Sequence, residues 1–279
     1  MNANTDRSTA AKDASEAKPI VAWQPLTFHG VAAFAQAPLA RLLLVQTVVA
    51  LVAAASVMWF LYRAWLPTLN EAVRRLPVEG ALVSGFLQWG DASPVCLADG
   101  RTLAVIIDPE HTGKARTPAQ VQVELGRRDV KFFSVFGEMR IPYPPRGILP
   151  LNQPEVGPWW GAWAPVLVAI AGIGVGLSLL GIWACLATLY LLPVRLISFL
   201  AKRVCGLAGA WCLAGAALMP GALLMSGAIV LYGWGALDLV RLIAVCGVHL
   251  LAGWIYLLGS PFCLPRREAA KGAQENPFA

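Results

Sequence analysis

Charge is scarce in this chain. Of 279 residues only 14% are Asp, Glu, Lys or Arg, against roughly 25% in an ordinary soluble domain. Four long stretches lack an ionised side chain in their interiors: 42–64, 159–192, 205–237 and 242–264. That argues against proton- or sodium-coupled transport through buried carboxylates, which needs ionisable groups at depth. Histidine is rare, with three residues, and none of the six cysteines forms a CxxC pair. A structural metal centre needs clustered Cys and His ligands, so none is expected. Only Cys96 falls in the polar middle of the chain, so that region is expected to hold no internal disulfide. GxSxG, HExxH and Walker patterns are missing, and with them the signatures of common hydrolases and nucleotide-binding enzymes. No internal repeat supports an inverted-repeat transporter.

What is abundant is apolar surface, at 57% of residues. The run Leu42–Tyr62 is uncharged; at 1.5 Å per residue it reaches about 30 Å, the thickness of a hydrocarbon layer. It is long enough to span and is read as an uncleaved anchor. The 159–192 and 205–237 runs are longer still, and 242–264 is close to one bilayer. The expected fold class is an α-helical integral membrane protein with four transmembrane helices and one inserted small α+β domain, rich in β-structure. Residues 1–20 read as a disordered tail, 21–41 as an interfacial segment, 193–204 and 238–241 as loops, and 265–279 as a second tail.

The inserted domain, 65–158, contains ten acidic and ten basic residues. Asp99–Gly100–Arg101 between Val95–Ala98 and Thr102–Ile107 predicts a hairpin, glycine being the residue that accepts positive φ. Val121–Leu125, Val130–Phe136 and Met139–Tyr143 are further expected strands. Leu66–Leu76 is helical in pattern and is expected to extend the first span outward. The Pro-rich stretch 144–158 reads as an extended tether.

Because the inserted domain is charge-balanced, the net charge of +6 lies outside it. Arg7, Lys12, Lys18 and Arg41 precede the first span; Arg195, Lys202 and Arg203 lie between the second and third; Arg266, Arg267 and Lys271 follow the fourth. With four spans these segments share one side, and the positive-inside rule makes that side the cytoplasm. The excess charge is then a topology signal, and no nucleic-acid partner is expected. Aromatic residues agree: Trp59, Tyr62 and Trp65 end the first run, Trp159, Trp160 and Trp163 open the second, and Tyr232 and Trp234 close the third. Indole rings favour the headgroup boundary. The expected location is a bacterial inner membrane, with both termini cytoplasmic and 65–158 extracytoplasmic.

Few residues invite a chemical reading. Asp108, Glu110 and His111 lie together after an expected strand, a pattern compatible with an acid–base or metal site and equally with turn chemistry around Asp-Pro. His249 is the one ionisable group within a span; it reads as a neutral group hydrogen-bonded to a neighbouring helix, the alternative being a ligand or proton site. Gly172 with Gly176, and Ala217 with Gly221, place small residues four apart, a spacing that lets helices approach closely in lipid. Pro220 is expected to kink the third span.

Leu76–Ser84 (LPVEGALVS), Pro94–Asp108 (PVCLADGRTLAVIID) and Val121–Phe136 resemble the outer domain of an uncharacterised bacterial integral membrane family, some members of which are encoded near maltodextrin-utilisation genes. Phe28–Pro38, with its aromatics before the first span, fits the same layout. The resemblance implies a first helix, a small extracytoplasmic domain and C-terminal helices; it implies no activity and no cofactor. The functional expectation is a non-enzymatic membrane protein, a sensor, regulator or accessory subunit, whose outer domain binds a partner, a ligand or envelope material and whose helices anchor it or pack against another membrane subunit. Alternatives are a transporter or permease component, or a membrane enzyme using Asp108 and His111.

Overall fold

The computed structural model describes residues 22–90 and 94–266. The tail expected over 1–20, and all but two residues of the tail expected over 265–279, lie outside the described residues. Among the described residues, four helical stretches are long and apolar enough to cross a bilayer: Leu39–Arg74, Gln153–Leu200, Leu207–Trp234 and Leu239–Cys263. A helix satisfies its own backbone polar groups, which is what an apolar solvent demands of a spanning segment.

A short helix α1 (Phe28–Ala33) starts at Thr27, whose hydroxyl accepts the Gly30 N–H at 3.0 Å, and runs into a 3₁₀ turn, Phe34–Gln36. Its apolar side chains Val31 and Phe34 are fully buried in protein, so this segment has a protein core to pack on. Helix α2 (Leu39–Phe60) passes through a π segment (Leu61–Trp65) into α3 (Leu66–Arg74). Pro67 explains the π turn. A proline has no N–H for the carbonyl four residues back and its ring collides with that carbonyl, and a wider turn absorbs both defects.

Eight strands follow: β1 (Ala81–Val83), β2 (Phe86–Gln88), β3 (Val95–Asp99), β4 (Leu103–Ile107), β5 (Val121–Leu125), β6 (Asp129–Ser134), β7 (Gly137–Pro142) and β8 (Ile148–Pro150). They form a three-stranded sheet, β2-β1-β8, and a five-stranded sheet, β3-β4-β5-β6-β7. Neighbours are antiparallel except β4 and β5, which run parallel from Leu103↔Val121 to Ile107↔Leu125. All five residues of β4 are buried, as an internal strand covered on both faces requires. Ala72 of α3 and Leu76, just past its end, share one apolar core with Leu87, Leu97, Ala98, Val105, Ile107 and Tyr143, against which Val156 also packs.

Helix α4 (Gln153–Leu200) is 48 residues long, about 72 Å at 1.5 Å per residue. It absorbs the end of the expected tether, over 153–158, and most of the expected loop, over 193–200. The rest of the tether contains β8, paired to β1. The third apolar stretch consists of α5 (Leu207–Ala217) and α6 (Met219–Trp234), interrupted at Leu218, two residues before Pro220. Helix α7 (Leu239–Gly259) ends in a 3₁₀ turn, Ser260–Cys263.

The chain divides into two compact units, one of residues 1–49, 180–222 and 248–279, the other of 50–179 and 223–247. In the first, the Tyr256 hydroxyl donates to the Leu26 carbonyl at 2.6 Å and its ring meets Phe28 at 5.1 Å. There too the buried Gln46 amide donates to the Gly215 carbonyl at 3.3 Å. The second unit holds both sheets and the residues taken up next.

Candidate functional site

The 108–120 connection between the parallel strands β4 and β5 carries the densest polar network. Asp108 follows directly on β4 and is 1% exposed. Its Oδ2 accepts the Thr112 hydroxyl and the Gly113 N–H, each at 3.0 Å, while Oδ1 is buried with no donor among the described residues. Burial by itself would push the Asp108 carboxyl up; the Thr112 and Gly113 donors and the nearby His111 charge outweigh it and hold the group below the usual carboxylate range.

The His111 N–H donates to the Asp108 carbonyl at 3.0 Å, but its ring bonds elsewhere. The residue sits at φ +51°, which turns its ring away from the loop toward the sheet. Nδ1 meets Glu124 Oε1 of β5 at 2.5 Å, and Nε2 meets Asp129 Oδ1 at the start of β6 at 2.7 Å. A neutral imidazole donates from one nitrogen only, so both contacts are hydrogen bonds only when the ring is doubly protonated or one carboxyl carries the proton. Glu124 is almost fully buried, and its Oε2 accepts the Gln122 amide at 3.3 Å. Gly126 makes room for the ring: a Cβ there would lie 2.2 Å from His111 Cε1 and Nε2. Tyr143 closes the far side, donating to the Gly126 carbonyl at 3.0 Å; burial and then the Asp129 charge push its phenol well above the usual value.

Sequence order grouped Asp108, Glu110 and His111; the fold gives their side chains different partners. Glu110 faces Arg127 at 2.6 Å on the surface. Glu124 and Asp129 are the partners that sequence inspection missed, and the one available signal was a buried-strand pattern, VQVEL, with a carboxylate at an inward position. With both ring nitrogens engaged, His111 in this arrangement offers neither to a substrate. Among the described residues no three His, Cys, Asp or Glu side chains form a group that could hold a metal ion.

A second feature lies at the β3–β4 turn. Arg101 donates to the Tyr232 carbonyl at 2.6 Å and its guanidinium lies 5.8 Å from the Tyr232 ring centre, at the C-terminal end of α6, where carbonyls lack helical partners. Thr102 donates to the Ala64 carbonyl at 3.3 Å, inside the π segment. Gly100 is not among the glycines with positive φ, contrary to the expectation for this turn. Close approach is what requires it, since a Cβ would lie 2.4 Å from the Thr68 hydroxyl of α3.

The small residues singled out in the helices meet neighbouring helices. A Cβ on Gly172 would lie 2.3 Å from Met58 Sδ, and one on Gly176 would touch the Ala54 methyl at 4.0 Å. Ala217 is fully buried. Gly221 lies against α7, where a Cβ would come within 2.7 Å of the His249 carbonyl oxygen and 3.1 Å of its ring. His249 is half-buried and belongs to this helix contact.

Fold and site together define the class: four helices of membrane-crossing length and composition, with a small β-sheet domain built onto the ends of two of them. No family model, no curated protein and no solved structure matches the chain.

Proposed function

We propose that this is a non-enzymatic multi-pass protein of a bacterial inner membrane, with residues 65–158 outside the cytoplasm, where they bind a partner or ligand as a sensor, regulator or accessory subunit. One observation carries the reading: the sheet domain is not tethered to the helices but shares its core with them. Ala72 of α3, Leu76 just past its end, and Val156 of α4 pack with strand residues Leu97, Val105 and Ile107. A domain on a flexible tether can bind, but it does not transmit. Packed cores deform in discrete steps, so a binding event that shifts the sheet also shifts the ends of both helices. Arg101 and Thr102 add two more bonded contacts, to α6 and to the π segment.

The all-exposed strand β7 at the sheet edge, with Met139 and Ile141 outward, is the surface such a partner would meet by strand addition. The locked His111 ring supports a structural role for that network over a catalytic one. The charge placement described above supports the orientation. The test is a photo-crosslinking amino acid at position 139 or 141 in living cells, with a control at exposed Leu177. A discrete adduct specific to β7, formed from the periplasmic side, supports the reading. Equal labelling at all positions, or a tag at residue 120 reporting the same compartment as the C-terminus, refutes it.

A further inference from the structure

Two adjoining clefts lie between α3 and α4, next to the sheet domain. The upper cleft, about 460 Å³, is lined by Asn70, Val73, Arg74, Gln153 and Trp160. The lower, about 400 Å³, is lined by Tyr62, Leu66, Ala164, Pro165 and Val168. Asn70, Trp160 and Gly161 belong to both, so the two form one groove, polar at the sheet end and apolar at the other. Each part is in the size range of small-molecule sites.

We propose that this groove binds one anionic phospholipid, its phosphate on Arg74 and one acyl chain along Leu66, Ala164, Pro165 and Val168. The inference rests on the membrane reading above and names a ligand for it. Charge complementarity selects the head. No acidic residue lines either cleft. The neighbouring Arg75 is taken by Glu71 at 2.7 Å, whereas no carboxylate among the described residues pairs with Arg74. Arg74 is positioned by a long contact from its Nε to the Asn70 carbonyl, 3.4 Å, which leaves the planar pair of terminal nitrogens to grip a phosphate. The Asn70 side-chain oxygen accepts the Trp160 indole N–H at 2.7 Å, which fixes the indole as a wall and keeps the Asn70 amide N–H groups as donors. The polar-to-apolar change falls where exposed Tyr62, Trp159 and Trp163 mark a headgroup boundary, so head and chain meet the parts of the groove that suit them.

Gly161 supplies the decisive variant. A Cβ there meets nothing within 4 Å, so Gly161→Leu starts in open space, extends its side chain into the groove that Gly161 lines and improves the helix propensity of its position. Arg74→Gln removes the charge at an exposed site. The experiment delipidates the full chain in detergent, adds back dioleoyl phosphatidylglycerol or dioleoyl phosphatidylcholine, and counts bound lipid by native mass spectrometry, with thermal midpoints as a folding control. The wild-type chain is expected to hold one phosphatidylglycerol about tenfold more tightly than phosphatidylcholine, a difference of about 1.4 kcal/mol. Arg74→Gln should abolish that preference, and Gly161→Leu should abolish the retained lipid, with unchanged midpoints. Equal retention of both lipids by the wild-type chain, or wild-type retention in a folded Arg74→Gln variant, overturns the site while leaving the membrane reading intact. A chain that stays dissolved without detergent overturns the membrane reading itself.

Discussion

Replacing Gly126 with alanine drives a methyl group into the His111 ring. The added Cβ would lie 2.2 Å from Cε1 and Nε2, and the obstacle is a ring held at both ends, by Glu124 at 2.5 Å and Asp129 at 2.7 Å. The ring must move, and a shift of about 1 Å breaks at least one bond to a carboxylate. Such bonds are worth about 1.5–3 kcal/mol, so Gly126→Ala is expected to cost about 2 kcal/mol. Removing the ring by His111→Ala leaves Glu124 buried without its hydrogen-bond partner, a loss of about 1–3 kcal/mol; Asp129, nearer solvent, adds little. The two effects are not additive. Gly126 is not among the positive-φ glycines, so once His111 is gone an alanine there is conformationally acceptable and is expected to cost less than about 0.5 kcal/mol. The double-mutant cycle should therefore show a coupling of about 1.5–2 kcal/mol. Hydrogen exchange of the β4, β5 and β6 amides in the detergent-solubilised chain reads the local opening free energy of the sheet. If Gly126→Ala costs the same with and without His111, the ring is not what Gly126 accommodates, and the description of the 108–129 network as a lock fails.

The Asp108 carboxyl is held below its ordinary range, so it contributes stability above the unfolded-chain value, near 3.9, and loses it as pH falls through the lower folded value. Asp108→Asn is expected to destabilise the sheet at pH 7 and to flatten the acid limb of thermal midpoints measured from pH 7 down to pH 2.5. Gly221→Ala meets a backbone oxygen of α7 that cannot step aside, and is expected to cost about 1–3 kcal/mol. Gly172→Ala meets the flexible Met58 side chain, should cost less, and should be rescued by Met58→Ala; thermal midpoints in detergent rank them. Arg101→Gln weakens the bond to the Tyr232 carbonyl at an exposed position. An effect of about 1 kcal/mol is expected, visible as faster exchange at the Gly235 and Ala236 amides, which cap the same helix end.

Composition and pattern alone determined the four long apolar helices, because a run of some 20 uncharged residues has few fates other than a bilayer or a deep core. They also located most strands of the larger sheet, since alternation and turn residues are local signals: Val121–Leu125 is β5 as read from the sequence. Local signals failed where geometry is decided at a distance. The parallel pairing of β4 with β5 depends on a 13-residue connection that returns beside its own start, and nothing in that connection's composition announces it. The strands β1, β2 and β8 are three residues each, too short for a period to show, and β8 joins the local β1–β2 hairpin only because the 144–158 stretch returns to it. Gly100 reads as a turn glycine and Gly126 falls between two expected strands, yet both are required by side chains that arrive from elsewhere, Thr68 and His111. The partners of His111 are 13 and 18 residues away. A hydrogen bond of a few ångströms is specified by where strands lie side by side, and only the tertiary fold decides that.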